Sequence, residues 1–190
     1  MTELTLKQKE KFFKNQEKVG TVVISHIKKR GLILFGQKAI NRQLPKDLRK
    51  DTEDYDIFSP TPEKSAKRIE MKLDKKFKGN YFVVKPALHG GTYKVKSIIG
   101  DKGIADVSKL DRKVPTVTLK GVKVATLQFQ KEQIRKSLKD KQSAFRHAKD
   151  KEVRARIQLA ELRKKKNKPT KSRRPKSVIP AFNVSTKVDF

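Results

Sequence analysis

The sequence contains no cysteine and no tryptophan, and aromatic residues make up only 7% of its 190 positions. Without cysteine the chain cannot form disulfides or cysteine-ligated zinc sites, which suits a reducing compartment. No apolar run reaches the roughly 18 residues that a membrane-spanning helix needs. The N-terminus shows no basic start followed by an apolar stretch, so we expect no secretory signal and no transmembrane segment.

Acidic residues are scarce as well. The sequence has 20 Asp and Glu residues and 49 Lys and Arg residues, which gives a net charge of +29. This imbalance predicts a polyanionic partner, with nucleic acid the first candidate and an anionic membrane the second. The membrane is disfavoured because the most basic segment carries no interleaved Trp or Phe that could insert.

The order of predicted elements indicates an α+β (mixed α/β) domain, a mixed sheet flanked by helices and followed by C-terminal helices and a basic tail. Strands are predicted over residues 32–35, 55–58, 81–84, 92–98 and 104–107, and helices over 4–29, 37–44 and 62–78. A short strand near residue 117 is expected to pass directly into a helix that ends near 139, and a further helix follows from about 143 to 165.

We therefore divide the chain into a core (residues 1–140), a basic helix (141–165) and a flexible basic tail (166–190). Residues 162–177 hold nine Lys or Arg among sixteen, with no acid and two prolines. Such a segment cannot bury enough apolar surface to offset the entropy of ordering it. It is expected to bind nucleic acid, to act as a linker or nuclear-localisation patch, or to dock a protein partner. The nucleic-acid contacts predicted there are Lys164, Lys165, Lys166, Arg173 and Arg174.

Three acids and one glycine form the candidate site. The apolar run ending at Gly36 is typical of a strand that turns tightly into a helix, where backbone N–H groups can face a phosphate. Asp54 and Asp56 are two residues apart, so on a strand both carboxylates would project from one face. Asp106, on a neighbouring predicted strand, could complete a three-carboxylate site for Mg²⁺ or Mn²⁺. The alternative is that these acids are ordinary solvated residues.

Several motifs carry a resemblance. The sequence resembles the polymerase-β-type nucleotidyltransferase superfamily in five runs and, more weakly, in a sixth. The five are FGQKAIN (35–41), DYDIFS (54–59), ALHGGTYKV (87–95), IADVS (104–108) and LKGVKVA (119–125), and the weaker one is RHAKDK (146–151). The closest likeness is to the catalytic core of poly(A) polymerases of large cytoplasmic DNA viruses.

The resemblance implies an enzyme that adds nucleotides from a nucleoside triphosphate, with ATP the favoured donor, to the 3′ end of a nucleic acid, with RNA favoured over DNA. It implies two Mg²⁺ or Mn²⁺ ions held by Asp54, Asp56 and Asp106, which would be the catalytic residues. Gly36, Gln37, Asn41 and Lys94 would bind the nucleotide. A cytoplasmic location is expected, in a viral factory or virion, while the basic tail would also suit a nucleus.

One residue departs from the family pattern. A second small residue, Gly or Ser, is typical where this chain has Gln37, and an amide there replaces a hydroxyl contact or crowds the phosphate. The alternative function is therefore a catalytically inactive nucleotidyltransferase fold that acts as a basic nucleic-acid-binding or virion protein.

Overall fold

A computed structural model of the chain describes residues 5, 6, 9, 10, 12, 17–88 and 90–166. Its helices are α1 (Glu17–Arg30), α2 (Gly36–Gln43), α3 (Pro62–Phe77), α4 (Leu127–Ser137) and α5 (His147–Lys166). Its strands are β1 (Ile33–Phe35), β2 (Tyr55–Ser59), β3 (Phe82–Pro86), β4 (Thr92–Ser97), β5 (Gly103–Lys109), β6 (Thr116–Leu119) and β7 (Val122–Ala125).

The seven strands form one mixed sheet in the order β3-β4-β5-β2-β1-β7-β6. The pairs β2–β5 and β1–β7 are parallel, and the other neighbours are antiparallel. The fold class is therefore mixed α/β, as the sequence predicted.

Helices α1 and α3 cover one face of the sheet. Their apolar residues, including Val23, Ile27, Ile69 and Leu73, form one buried cluster with strand residues such as Ile57 and Val107. Because side chains alternate along a strand, the neighbours of these residues, Asp56 and Asp106 among them, point to the opposite face. The strand pattern thus puts the predicted acids on the face away from α1 and α3.

Helix α5 packs against α4 and against apolar residues of α2 and the segment after it, rather than on the sheet. Ile40, Leu44 and Leu48 form a second apolar cluster with Ile134 of α4 and with Val153, Ile157 and Ala160 of α5. The C-terminal helix therefore shares a core with the helix that begins at Gly36. The proposed boundaries of core, basic helix and tail remain predictions, and residues 167–190 lie outside the described part of the chain.

The structure differs most from the predicted elements over residues 116–125. We predicted one short strand there, but β6 and β7 form an antiparallel hairpin in which Leu119 pairs with Val122. The turn residues Lys120 and Gly121 both have positive φ, 51° and 75°. Glycine adopts such angles freely, and two in succession are typical of a tight two-residue hairpin turn.

Smaller differences lie at element ends. Thr61 directly precedes α3, and its side chain makes no capping hydrogen bond. A 3₁₀ segment, Lys141–Arg146, leads into α5. Within the described ranges, none of the helices has the length and apolar character that a membrane crossing requires.

Candidate active site

Gly36 forms a sharp corner between β1 and α2. Its φ is +65°, a left-handed conformation that favours glycine. A β-carbon at this position would overlap the carboxylate of Asp56, which lies across from Phe35 in the antiparallel β1–β2 pair. Two features therefore require glycine at this position. One is the positive φ angle, and the other is the Asp56 side chain, which occupies the space of a β-carbon.

The parallel pairing of β2 with β5 brings the acids together. Asp56 lies directly beside Asp106 in register, and Asp54 immediately precedes β2. Thr52 donates a hydrogen bond from Oγ1 to Asp54 Oδ1 over 2.7 Å. Lys94, on the next strand, places its Nζ 3.4 Å from Asp106 Oδ2. The structure thus places Asp54, Asp56 and Asp106 near the corner at Gly36, with Lys94, also among the predicted site residues, beside Asp106.

The surroundings of Asp56 disfavour its charged form. Its pKa is raised to about 7, chiefly by burial and also by the nearby carboxylates of Asp54 and Asp106. The positive charges of Lys149 and Arg146 oppose this rise but do not cancel it. A partly buried carboxyl among like charges tends to take up a proton or gain a cation near neutral pH.

The donor chemistry fits a divalent cation. Carboxylate oxygens are the ligands that Mg²⁺ and Mn²⁺ prefer, and Asp54, Asp56 and Asp106 are the residues that could hold them. In their present rotamers, however, the carboxylates do not converge. Across the described ranges, no group of three or more His, Cys, Asp or Glu side chains is arranged to hold a metal ion. The physical reason is that Asp54 turns toward Thr52 and Asp106 toward Lys94.

Gln37 directs its amide along α2 and toward α5. Its Nε2 donates to Asn41 Oδ1 over 2.7 Å, and its Oε1 accepts from Arg156 Nη2 over 3.1 Å. Both ends of the amide are therefore bound by protein groups. The residue that departs from the family pattern thus links the glycine corner to the C-terminal helix.

Arg156 and Asn41 continue this link to the loop before β2. Arg156 Nη1 donates to the Leu48 carbonyl over 3.3 Å, and Lys50 pairs with Glu152 of α5 at 2.8 Å. Asn41 Nδ2 donates to the Lys50 carbonyl over 2.6 Å, and its Oδ1 accepts from the Lys50 N–H. These contacts of Asn41 hold the loop, and its role at a nucleotide remains a prediction.

Two basic residues near the site were missed by sequence reasoning. Arg146 and Lys149 lie at the start of α5, and their charges act on Asp56. Arg146 is fixed by Asp150, a buried acid whose Oδ2 lies 3.1 Å from its Nε. The weak motif at residues 146–151 contained both residues, but in a chain with 49 cations nothing in their spacing distinguished them.

The other predicted residues lie apart from the acids. Lys164, Lys165 and Lys166 are exposed at the end of α5. Arg173 and Arg174 fall outside the described residues. A cavity of about 810 Å³ runs along α1 and reaches Tyr55. Because Tyr55 alternates with Asp56 along β2, this cavity belongs to the helix-covered side and the acids do not line it.

No protein-family model and no curated protein matches the sequence. Comparison with solved structures shows that the chain has a nucleotidyltransferase-type fold. The structure that shows it is the Megavirus polyadenylate synthase, with a TM-score of 0.64 and 15% sequence identity, over 77% of this chain and 32% of that one. The chain therefore spans about a third of the length of that protein, and the likeness is one of fold.

Two Helicobacter pylori structures also match. One has a TM-score of 0.38 and 14% identity, over 72% of this chain and 58% of its own. The other, described as a nucleotidyltransferase, has a TM-score of 0.39 and 17% identity, over 71% of this chain and 59% of its own.

Proposed function

We propose that the chain is a metal-dependent nucleotidyltransferase that adds nucleotides from a nucleoside triphosphate to the 3′ end of a nucleic acid. The observation that carries the proposal is the pairing of Asp56 with Asp106 in register beside the Gly36 corner, with Asp54 two residues away. ATP as the donor and RNA as the acceptor are supported by the name of the Megavirus structure, a polyadenylate synthase, which shares the fold.

In the proposed reaction, the 3′-oxygen of the acceptor attacks the α-phosphorus of the triphosphate in line with the bond to the β-phosphate. A phosphodiester bond forms, the bond between the α-phosphorus and its bridging oxygen breaks, and pyrophosphate leaves. Asp106, with a side chain 29% exposed, takes the proton of the attacking hydroxyl. The first backbone N–H groups of α2, at Gly36 and Gln37, face the donor phosphates.

Two Mg²⁺ or Mn²⁺ ions supply charge stabilisation at the attacking and leaving oxygens in transfers of this kind, and Asp54, Asp56 and Asp106 would hold them. Lys94, Arg146 and Lys149 bring positive charge close to the same carboxylates. We assign Lys94 to the nucleotide, and Arg146 and Lys149 to the leaving pyrophosphate.

A second candidate function follows from Gln37. Both polar atoms of its amide are bound within the protein, and Lys94 neutralises Asp106 without a metal. This arrangement favours an inactive member of the fold that binds nucleic acid without extending it. The two candidates make opposite predictions for nucleotide incorporation.

The test is extension of a labelled primer by the full chain with each nucleoside triphosphate and Mg²⁺ or Mn²⁺, on RNA and DNA primers in parallel. We expect extension, and a loss of about a hundredfold or more for Asp56→Asn and Asp106→Asn because each removes a metal ligand. Asp111→Asn is the matched control, since Asp111 is an exposed acid whose partner is its neighbour Arg112.

A second readout is independent of turnover. In the presence of a chelator at neutral pH, Asp56→Asn should melt at a higher temperature than the wild type, because it removes a buried acid from among like charges. Added Mn²⁺ should raise the melting temperature of the wild type and leave that of the variant unchanged. A wild type that retards primers but never extends them would favour the inactive candidate, and full activity of both aspartate variants would overturn the proposed site.

A further inference from the structure

A cluster of four cations lies on the helix-covered side of the molecule. Lys29 and Arg30 end α1, and Arg68 and Lys72 lie one turn apart on α3, the helix that packs beside it. We call these four residues the α1–α3 cluster. Burial lowers the pKa of Lys72, and the charges of Lys29, Arg30 and Arg68 lower it further, so these three cations lie within electrostatic reach of Lys72.

The basic surface continues beyond these helices. Lys28 extends over the β6–β7 turn, where a β-carbon on Gly121 would lie 3.7 Å from its Nζ. Lys123, on β7, lies close to Gly31 at the end of α1. Together with Lys28 and Lys123, the cluster forms a basic strip that extends from α3 by way of the end of α1 to the hairpin.

Within the described ranges, none of the four cations forms an ion pair or a side-chain hydrogen bond. Lys67, on the same helix as Arg68, pairs instead with Glu63 at 2.6 Å. The dipole of α1 stabilises positive charge at its last turn, which accounts for Lys29 and Arg30. It does not account for Arg68 and Lys72, which lie in the middle of α3.

The cluster is separate from the acidic site. It lies at the end of α1, just before β1 begins, whereas Gly36 lies where β1 ends. It is also on the α1 and α3 face of the sheet, while Asp56 and Asp106 point to the other face. A ligand at the α1–α3 cluster would therefore leave the glycine corner free.

We propose that the α1–α3 cluster is a second binding site, one that holds the phosphodiester backbone of a nucleic acid. Grouped cations without acidic partners repel one another, and a chain of regularly spaced phosphates relieves that repulsion. A polymer is favoured over a single phosphate because the strip extends over two helices and a hairpin. The site needs no divalent cation and no nucleoside triphosphate, so it is independent of the proposed transfer reaction.

The test compares two variants that each lose four positive charges. The first carries Lys29→Gln, Arg30→Gln, Arg68→Gln and Lys72→Gln. The matched control carries Arg135→Gln, Lys136→Gln, Lys151→Gln and Arg154→Gln, four exposed cations of α4 and α5 for which no ion pair is seen in the described part of the chain. The probe is a labelled single-stranded oligonucleotide without divalent cations, titrated at several salt concentrations.

For the cluster variant we expect weaker binding and a salt-dependence slope that falls by about 3, since each lost phosphate contact contributes roughly 0.7 on single strands. For the control variant we expect a smaller loss of affinity and a smaller change in the salt-dependence slope. Equal losses in the two variants would mean that net charge alone drives binding, and unchanged binding of the cluster variant would mean that nucleic acid binds elsewhere. Either result overturns the proposal.

The free protein offers a second measurement. Because the cations of the cluster repel one another at short range, its variant should melt at a higher temperature than the wild type at low salt, and the rise should be larger than that of the control variant. Oligonucleotide should then raise the melting temperature of the wild type more than that of the cluster variant. If vesicles containing phosphatidylserine, and not the oligonucleotide, distinguish the variants, the cluster is a membrane site and the proposal is wrong.

Discussion

His26 is the most unusual buried residue away from the candidate site. Its side chain is fully buried in α1, and neither ring nitrogen has a hydrogen-bond partner. Burial lowers its pKa from 6.5 to about 4, and the positive charges of Lys72, Arg30 and Arg68 contribute to the shift. The folded protein therefore holds a neutral imidazole whose polar atoms are unsatisfied, which is destabilising.

We expect His26→Leu to raise the free energy of unfolding by about 1–3 kcal/mol at neutral pH, because it removes unsatisfied buried polar atoms. The gain should increase as the pH falls from 6.5 to about 4. In that window the unfolded chain binds a proton that the folded chain does not, so the wild type loses stability on acidification and the variant avoids this loss.

Urea unfolding of both proteins across this pH range measures the effect. His147→Gln is the control, since His147 contacts the Ser137 carbonyl through Nε2 and is not fully buried. Parallel stability curves for wild type and His26→Leu would contradict the assignment of a low pKa to His26.

At the scale of elements, one arginine determines which polar groups α5 contacts. Arg156 bridges Gln37 at the start of α2 and the carbonyl of Leu48, and its side chain is only 14% exposed. Apolar contacts of Ile157 and Val153 hold the helix in place, but they do not fix which polar groups face Gln37. The hydrogen bonds of Arg156 supply that specificity.

Arg156→Gln should therefore lower the free energy of unfolding by about 1–3 kcal/mol, because the oxygens of Gln37 and Leu48 lose their donors. Arg154→Gln, on the exposed side of the same helix, should change it by no more than about 0.5 kcal/mol. Denaturant titration measures both values. Equal effects would show that the bridge contributes nothing beyond ordinary surface charge.

Local sequence patterns predicted some features of these elements and missed others. Strand alternation and the spacing of Asp54 and Asp56 predicted an acidic face, with Asp106 on a neighbouring strand. The parallel pairing that sets Asp106 beside Asp56 was not predicted. The hairpin was missed although Lys120-Gly121 is a turn signal between two alternating runs. Arg146, Lys149 and Arg156 could not be placed, because the docking angle of α5 depends on tertiary packing against α2 and not on local pattern.

At the scale of the whole molecule, a net charge of +29 opposes compactness. Ten ion pairs are present in the described part of the chain, several of them well exposed, so most cations there remain unneutralised. Self-repulsion of this kind is screened by salt over about 10 Å at 0.1 M. Stability and nucleic-acid affinity should consequently respond to salt in opposite directions.

We expect the melting temperature of the free protein to rise with added sodium chloride while its affinity for an oligonucleotide falls by orders of magnitude. Differential scanning fluorimetry and fluorescence anisotropy over the same salt series measure the two trends. A melting temperature that falls with salt would mean that ion pairs, rather than repulsion, dominate the electrostatics of the fold.

The bond between Gln37 and Arg156 joins residues 119 positions apart. Contacts between residues so far apart in sequence form late in folding, because the entropy of closing the intervening loop must be offset before they stabilise the fold. During synthesis, the nascent polypeptide presents its glycine corner to the cell long before helix α5 has left the ribosome. The partner of Gln37 emerges only after 119 further residues have been added.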